Sequence, residues 1–110
     1  MSDCIFCQIE GKQIPAKLVY EDSEVIAFND LHPQAPVHVL VVPRKHINTL
    51  NDAKEGDTRL LGRLLYAAAR VARDRGIAES GYRVVINVNR GAGQVIFHLH
   101  LHVMGGGKMA

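Results

Sequence analysis

At 110 residues the chain has room for one compact domain and little more. It is 47% hydrophobic and 22% charged, an ordinary balance, and a net charge of +2 gives no electrostatic case for nucleic acid. No apolar run approaches the roughly 20 residues that span a bilayer, and Met1-Ser2-Asp3-Cys4 lacks the basic start of a secretory signal, so no membrane partner and a cytoplasmic location are expected.

In chain order, residues 5–10 predict a short helical turn, which Gly11 and then Pro15 bring to an end. Residues 17–21 and 24–29 read as two strands joined at Asp22-Ser23. A loop from Asp30 to Pro36 is punctuated by Pro33 and Pro36. Residues 37–42, nearly all apolar and rich in valine, predict a buried strand that Pro43 closes.

Residues 57–75 carry the clearest helical period. Asp57 is the expected N-cap. Leu60, Leu61, Leu64, Leu65, Ala68, Val71 and Ala72 form the apolar stripe, and Gly76 is placed to stop the helix. Arg59, Arg63, Arg70 and Arg73 lie largely off the stripe and read as a solvated basic face. A strand over 82–88, a glycine-bearing loop from Asn89 to Gln94, and a last strand over 95–104 ending in Gly105-Gly106-Gly107 complete the chain. The expected class is α+β: a five-stranded, mainly antiparallel sheet with one major helix and a short N-terminal one, as a single domain over residues 1–110.

The last strand contains His98-Leu99-His100-Leu101-His102, half of the chain's six histidines in alternation. Period two puts the imidazoles on one face and the leucines on the other. A single metal held by all three does not fit a straight strand, whose outer pair would lie roughly 13 Å apart. An active site with the central imidazole as nucleophile suits the residue better, since its pKa lies near neutrality. The preceding loop holds Gly91 and Gly93, which allow backbone N–H groups to converge on an anion, although such loops also serve as plain turns. The pair Cys4 and Cys7, with two residues between them, suggests a metal or redox site in an intracellular protein.

These residues resemble a known family. His98-Leu99-His100-Leu101-His102-Val103-Met104 is similar to the signature of the histidine-triad superfamily. Asn29-Asp30-Leu31-His32-Pro33-Gln34-Ala35-Pro36-Val37-His38 resembles the nucleotide loop of its Hint branch, and Cys4-Ile5-Phe6-Cys7 with Ile14-Pro15-Ala16 resembles that branch's N-terminus. The resemblance implies a homodimer with a continuous sheet, a purine nucleotide ligand, and hydrolysis of the P–N bond of nucleoside phosphoramidates without a catalytic metal. It implies that His100 attacks the α-phosphorus to form a nucleotidyl-histidine. His102, with backbone N–H groups near Gly93 and Gln94, would stabilise the phosphate charge, and His38 would face His100 and hold its ring, with His98 completing the catalytic set. Asp30 would accept both ribose hydroxyls, and Leu31, Asn87 and Val95 would join the substrate-binding positions.

The same resemblance implies that Cys4, Cys7, His46 and His98 hold a structural Zn²⁺; the alternative is two thiols with His46 on the surface after Lys45. Read without it, Asp30 is more often a turn or cap residue, His38 more often a satisfied core histidine, and Asn87 a residue that closes a turn. Val95 stands where some members carry a hydroxyl, His32 where serine is common, and the chain ends soon after Gly107. The rival functions are a dinucleoside polyphosphate hydrolase, a nucleotide-binding regulatory protein with incidental turnover, and a zinc-dependent hydrolase.

Overall fold

The structure is a computed structural model and describes residues 3–107; Met1, Ser2 and the 108–110 tail lie outside the described residues. The elements in order are α1 (Ile5–Glu10), β1 (Leu18–Glu21), β2 (Val25–Asn29), β3 (Val37–Pro43), α2 (Thr58–Asp74), β4 (Tyr82–Val85) and β5 (Leu101–Gly105). Short 3₁₀ turns at Leu50–Asp52, Glu55–Asp57 and Arg90–Ala92 join them. The five strands form one sheet in the order β1-β2-β3-β5-β4, with every neighbouring pair antiparallel.

Both faces of the central strands are covered, which explains why β2 and β3 are apolar almost throughout. Val25, Ala27, Val39, Val41, Leu101 and Val103 pack with Leu64, Ala68, Val71 and Ala72 of α2. The alternate positions Ile26, Phe28, Leu40 and Val42 pack on the other face with Phe6 of α1. Helix and hairpin are also joined by charge. Asp22 accepts from the Glu24 and Val25 N–H groups, which makes the β1–β2 turn, and from Arg63 Nη2 at 2.7 Å. Burial pushes its carboxyl up, but the Tyr20 hydroxyl, those N–H groups and the guanidinium outweigh burial and hold it at about 2.

Four expectations need correction. Leu65 is 57% exposed, and Ala67 takes its place in the buried stripe. Asp57 precedes α2 without a side-chain cap bond to it; its carboxylate instead accepts from the Lys54 N–H and Lys45 Nζ, closing the preceding turn. β4 stops at Val85 rather than residue 88. The last strand begins at Leu101 rather than residue 95. These last two have one cause. The β3–β5 register ends at Val41↔Leu101 and the β4–β5 register at Val85↔His102, so residues 95–100 run past the ladder. There the Leu99 N–H bonds instead to the Ile47 carbonyl at 2.6 Å.

Gly105 lies where β5 meets the turn before β4. A Cβ there would stand 3.0 Å from both the Gly81 carbonyl oxygen and Ile77 Cδ1. Gly105→Ala is expected to lower unfolding stability by about 1–3 kcal/mol through overpacking, read as a lower urea midpoint, whereas Gly56→Ala, whose Cβ meets nothing within 4 Å, changes it by no more than about 0.5 kcal/mol.

Candidate functional site

The alternation of residues 98–103 survives the loss of the ladder. Leu99, Leu101 and Val103 enter the core under α2, while the rings of His98 and His100 turn to the other side and meet Phe6 edge-on at 5.9 and 5.1 Å between centroids. His98 is fully buried, His100 is 8% exposed, and His102 is half-buried.

Hydrogen bonding sets which nitrogen of each ring carries the proton. His100 Nδ1 lies 2.7 Å from the His98 carbonyl oxygen, which can only accept. The proton is therefore on Nδ1, and Nε2 has the lone pair a nucleophile needs. His38 Nδ1 accepts from the Gln34 N–H at 3.0 Å, so its Nε2 carries the proton and donates to His102 Nδ1 at 2.9 Å. His102 is thereby left with its proton on Nε2. Asn87 Nδ2 stands 3.5 Å from that nitrogen. Two N–H donors side by side repel each other alone and are favourable around a shared anionic oxygen.

The expected pairing of His38 with His100 is thus corrected: His38 bonds His102. The strand register accounts for this, since β3 sets Leu40 opposite His102 and His38 opposite Met104, and the long imidazole reaches its diagonal neighbour. Asp30 Oδ2 lies 3.4 Å from His38 Nε2, and Oδ1 accepts from the His32 N–H at 2.8 Å.

The loop donors differ from expectation. The Gly93 N–H bonds to the Arg90 carbonyl and the Gln94 N–H to the Asn89 carbonyl, so both are used within the turn. Gly93, at φ +88°, has the left-handed geometry that closes it. The Gln94 side chain points inward: Oε1 accepts from the Asn89 N–H, and Nε2 donates to the carbonyls of Asn48 and Ile96. Leu31 and Val95, at 88% and 85% exposed, project from their loops into solvent.

Burial lowers the pKa of His98, His100 and His102, favouring neutral rings. For His102, burial first and then the neighbouring His100 and His38 bring it to about 4.

A second cluster adjoins the first. Cys4, Cys7, His46 and His98 place their ligand atoms within 4.8 Å of one another. His98 Nδ1 lies 3.4 Å from Cys4 Sγ and 3.5 Å from Cys7 Sγ, and His46 Nδ1 lies 3.1 Å from Cys7 Sγ. Tetrahedral zinc with bonds of about 2.3 Å to sulfur and 2.0–2.1 Å to nitrogen needs S···N separations of about 3.5 Å. Each ring is also in the tautomer a metal requires. His98 Nε2–H donates to the Pro43 carbonyl at 2.8 Å and His46 Nε2–H to Asn48 Oδ1 at 2.6 Å, which leaves Nδ1 lone pairs facing the thiols. Asp30, His38 and His102 are equally close together, but the Gln34 N–H holds the proton of His38 on the nitrogen a metal would need, so this trio is a hydrogen-bond relay.

Phe6, Gln34, Pro43 and Asn48 were not among the residues expected from sequence. Gln34 and Pro43 act through backbone groups, which residue type does not reveal. Phe6 lay between the two cysteines but read only as apolar.

A family model described as HIT domain matches residues 11–109. The chain is 44% identical over 104 residues to the purine nucleoside phosphoramidase of Escherichia coli (strain K12), covering 94% of this chain and 87% of that one. It is 42% identical over 105 residues to protein HitA of Neisseria gonorrhoeae, covering 96% and 97%. The fold is similar to a HIT family hydrolase from Legionella pneumophila Philadelphia 1, with a TM-score of 0.96 at 47% identity over 98% of this chain and 96% of that one.

The low pKa of His102 has a consequence for stability. Its folded value of about 4 lies below the ordinary 6.5, so between these values the unfolded chain binds more protons than the fold. The stabilising contribution is complete above pH 6.5 and is lost as pH falls through about 4. Urea midpoints measured across this range should fall toward acid, and His102→Asn should show a shallower fall; parallel profiles would exclude His102 as a source.

Proposed function

The chain belongs to the HIT domain family, and within it we propose that this protein hydrolyses the P–N bond of purine nucleoside phosphoramidates through a nucleotidyl intermediate on His100. The observation that carries the reading is the fixed tautomer of His100: its Nδ1–H is held by the His98 carbonyl at 2.7 Å, so Nε2 presents a lone pair. The likeness to a purine nucleoside phosphoramidase supports the choice of substrate.

In the first step His100 Nε2 bonds to the α-phosphorus and the P–N bond breaks. The amine takes the electron pair and a proton. The phosphorylated ring carries positive charge, which the His98 carbonyl stabilises through Nδ1–H. His102 Nε2–H and the Asn87 amide donate to the non-bridging oxygens. Burial and the neighbouring rings hold the His102 conjugate acid at about 4, which favours a neutral ring that donates to the phosphate, and water or His102 supplies the proton to the amine. Val95 has no donor to share that task. In the second step water bonds to phosphorus, the P–Nε2 bond breaks, and the nucleoside monophosphate leaves with the ring restored. Asp30, at the end of the relay, accepts the ribose hydroxyls, with Leu31 and Val95 as apolar walls.

A single domain over residues 1–110 carries this chemistry in our reading, and two copies join through β4. That strand is at the sheet's edge, where an antiparallel copy extends the sheet. Exposed Leu65 and Tyr66 on α2 add apolar surface for a partner. Cys4, Cys7, His46 and His98 hold a structural Zn²⁺ that pins α1 to the sheet. Among the described residues no helix is long and apolar enough to cross a membrane.

Amine release from an adenosine 5′-phosphoramidate tests the reading. Wild-type turnover should persist in chelator and fall by about 10³-fold or more in His100→Ala. Turnover lost to chelator would favour a catalytic metal. Bound AMP without turnover would favour a binding protein, with dinucleoside polyphosphates the next substrate to try.

A further inference from the structure

Three consecutive residues after β3 each hold a different part of the molecule. The His46 ring faces the Cys7 thiol, the Ile47 carbonyl accepts from the Leu99 N–H between two histidines, and Asn48 faces both ways. Asn48 Oδ1 accepts from His46 Nε2 at 2.6 Å, while its backbone carbonyl accepts from Gln94 Nε2 at 2.8 Å. Gln94 continues the connection, since its Oε1 accepts from the Asn89 N–H at 2.8 Å and so holds the start of the Asn89–Gln94 loop. Gln94 is only 4% exposed, and its three amide bonds leave it one arrangement.

We infer that Asn48 is a positioning residue that couples the Cys4-Cys7-His46-His98 metal centre to the Asn89–Gln94 loop, so that a bound metal tightens nucleotide binding. This rests on the zinc and nucleotide readings above. Asn48 and His46 are both exposed, and the His46 ring is held by the Cys7 thiol at 3.1 Å, the edge of the His98 ring at 4.6 Å between centroids, and Asn48; a metal adds a coordination bond to these weaker contacts. A metal fixes His46. Through the 2.6 Å bond it then fixes Asn48, and through Gln94 the loop beside the substrate. The connection also runs back, because Asn48 keeps the proton of His46 on Nε2 and its Nδ1 lone pair toward the metal. By linkage, the two binding events help each other equally.

The test uses the full chain, with Co²⁺ as the metal and AMP as the nucleotide. Co²⁺ bound by two thiolates and two imidazoles shows thiolate charge-transfer and tetrahedral bands, which report loading independently of turnover. Calorimetry then gives AMP affinity for loaded and chelated protein. Loaded wild type should bind AMP about five-fold or more tightly than chelated wild type. Asn48→Ala should weaken Co²⁺ by about 10–100-fold and, at saturating Co²⁺, lose most of the gain in AMP affinity. Asn48→Asp keeps an acceptor for His46 and should restore Co²⁺ affinity. Gln94→Met should keep the Co²⁺ bands and affinity but lose the gain. Equal AMP affinity of loaded and chelated wild type would overturn the coupling while leaving both underlying readings intact, as would an undiminished gain in Asn48→Ala. Absence of the thiolate band in wild type removes the metal reading, and absence of AMP binding in both forms removes the nucleotide reading; either takes this inference with it.

Discussion

The site depends on which nitrogen of each imidazole holds the proton. A neutral ring has one donor and one acceptor, so a single fixed partner decides what the other nitrogen can do. Carbonyl groups at His98 and Pro43 turn His100 and His98 into rings with a lone pair facing outward from that bond. An amide N–H at Gln34 does the reverse to His38 and, through it, makes His102 a donor. Chemically similar histidines thus differ in what they present, a lone pair from His98 and His100 and an N–H from His102, through backbone groups. Burial lowers the pKa of His98, His100 and His102, which favours the neutral state on which this depends.

The run from His98 to Val103 satisfies two demands at once. Its leucines and valine belong to the core under α2, and a one-residue slip would bury imidazoles there and turn the leucines to the Phe6 face. The apolar core therefore sets the register of the histidine face. Pro43 sharpens the arrangement. It ends β3, and its carbonyl accepts from His98 where the ladder with β5 has already finished. His100 sits in that unladdered stretch, held by the Leu99 N–H, the His98 carbonyl and the Phe6 ring.

Period and punctuation made most of this fold legible. The helix over 57–75, the strands around 17–29 and 37–42, and the alternation at 98–103 all follow from where apolar residues recur and where proline and glycine interrupt them. Strand ends were not legible, because β4 and β5 stop where their partners run out, a property of the pairing and not of either segment. Leu65 fits the helical period as well as Leu64 does, and only the placement of the sheet decides between them. At the site, residue type pointed to the alternating histidines and to the Cys4-Cys7 pair, whereas His38, Asp30 and the grouping of His46 and His98 with the cysteines came from the family resemblance. The relay partner of His38 and the bonds of Gln94 were invisible, since one depends on register and the other on which loop packs alongside.

The N-terminal helix shows why the two clusters are adjacent. Six residues are too few for a helix to persist alone, so α1 must be held by what it touches. Its contacts divide by sequence position. Phe6 enters the lower core and lies against His98 and His100, while Cys4 and Cys7 flank it and face the His46 and His98 rings. The Cys-x-x-Cys spacing spans roughly one helical turn and brings both thiols to one side, with Phe6 between them directed to the core. The Phe6 wall behind His100 and the two thiols facing His46 and His98 are therefore one short segment. Anything that loosens the thiol end also loosens Phe6, and the ring of His100 loses its edge-on neighbour. Docking of α1 is thus part of what fixes the His100 ring.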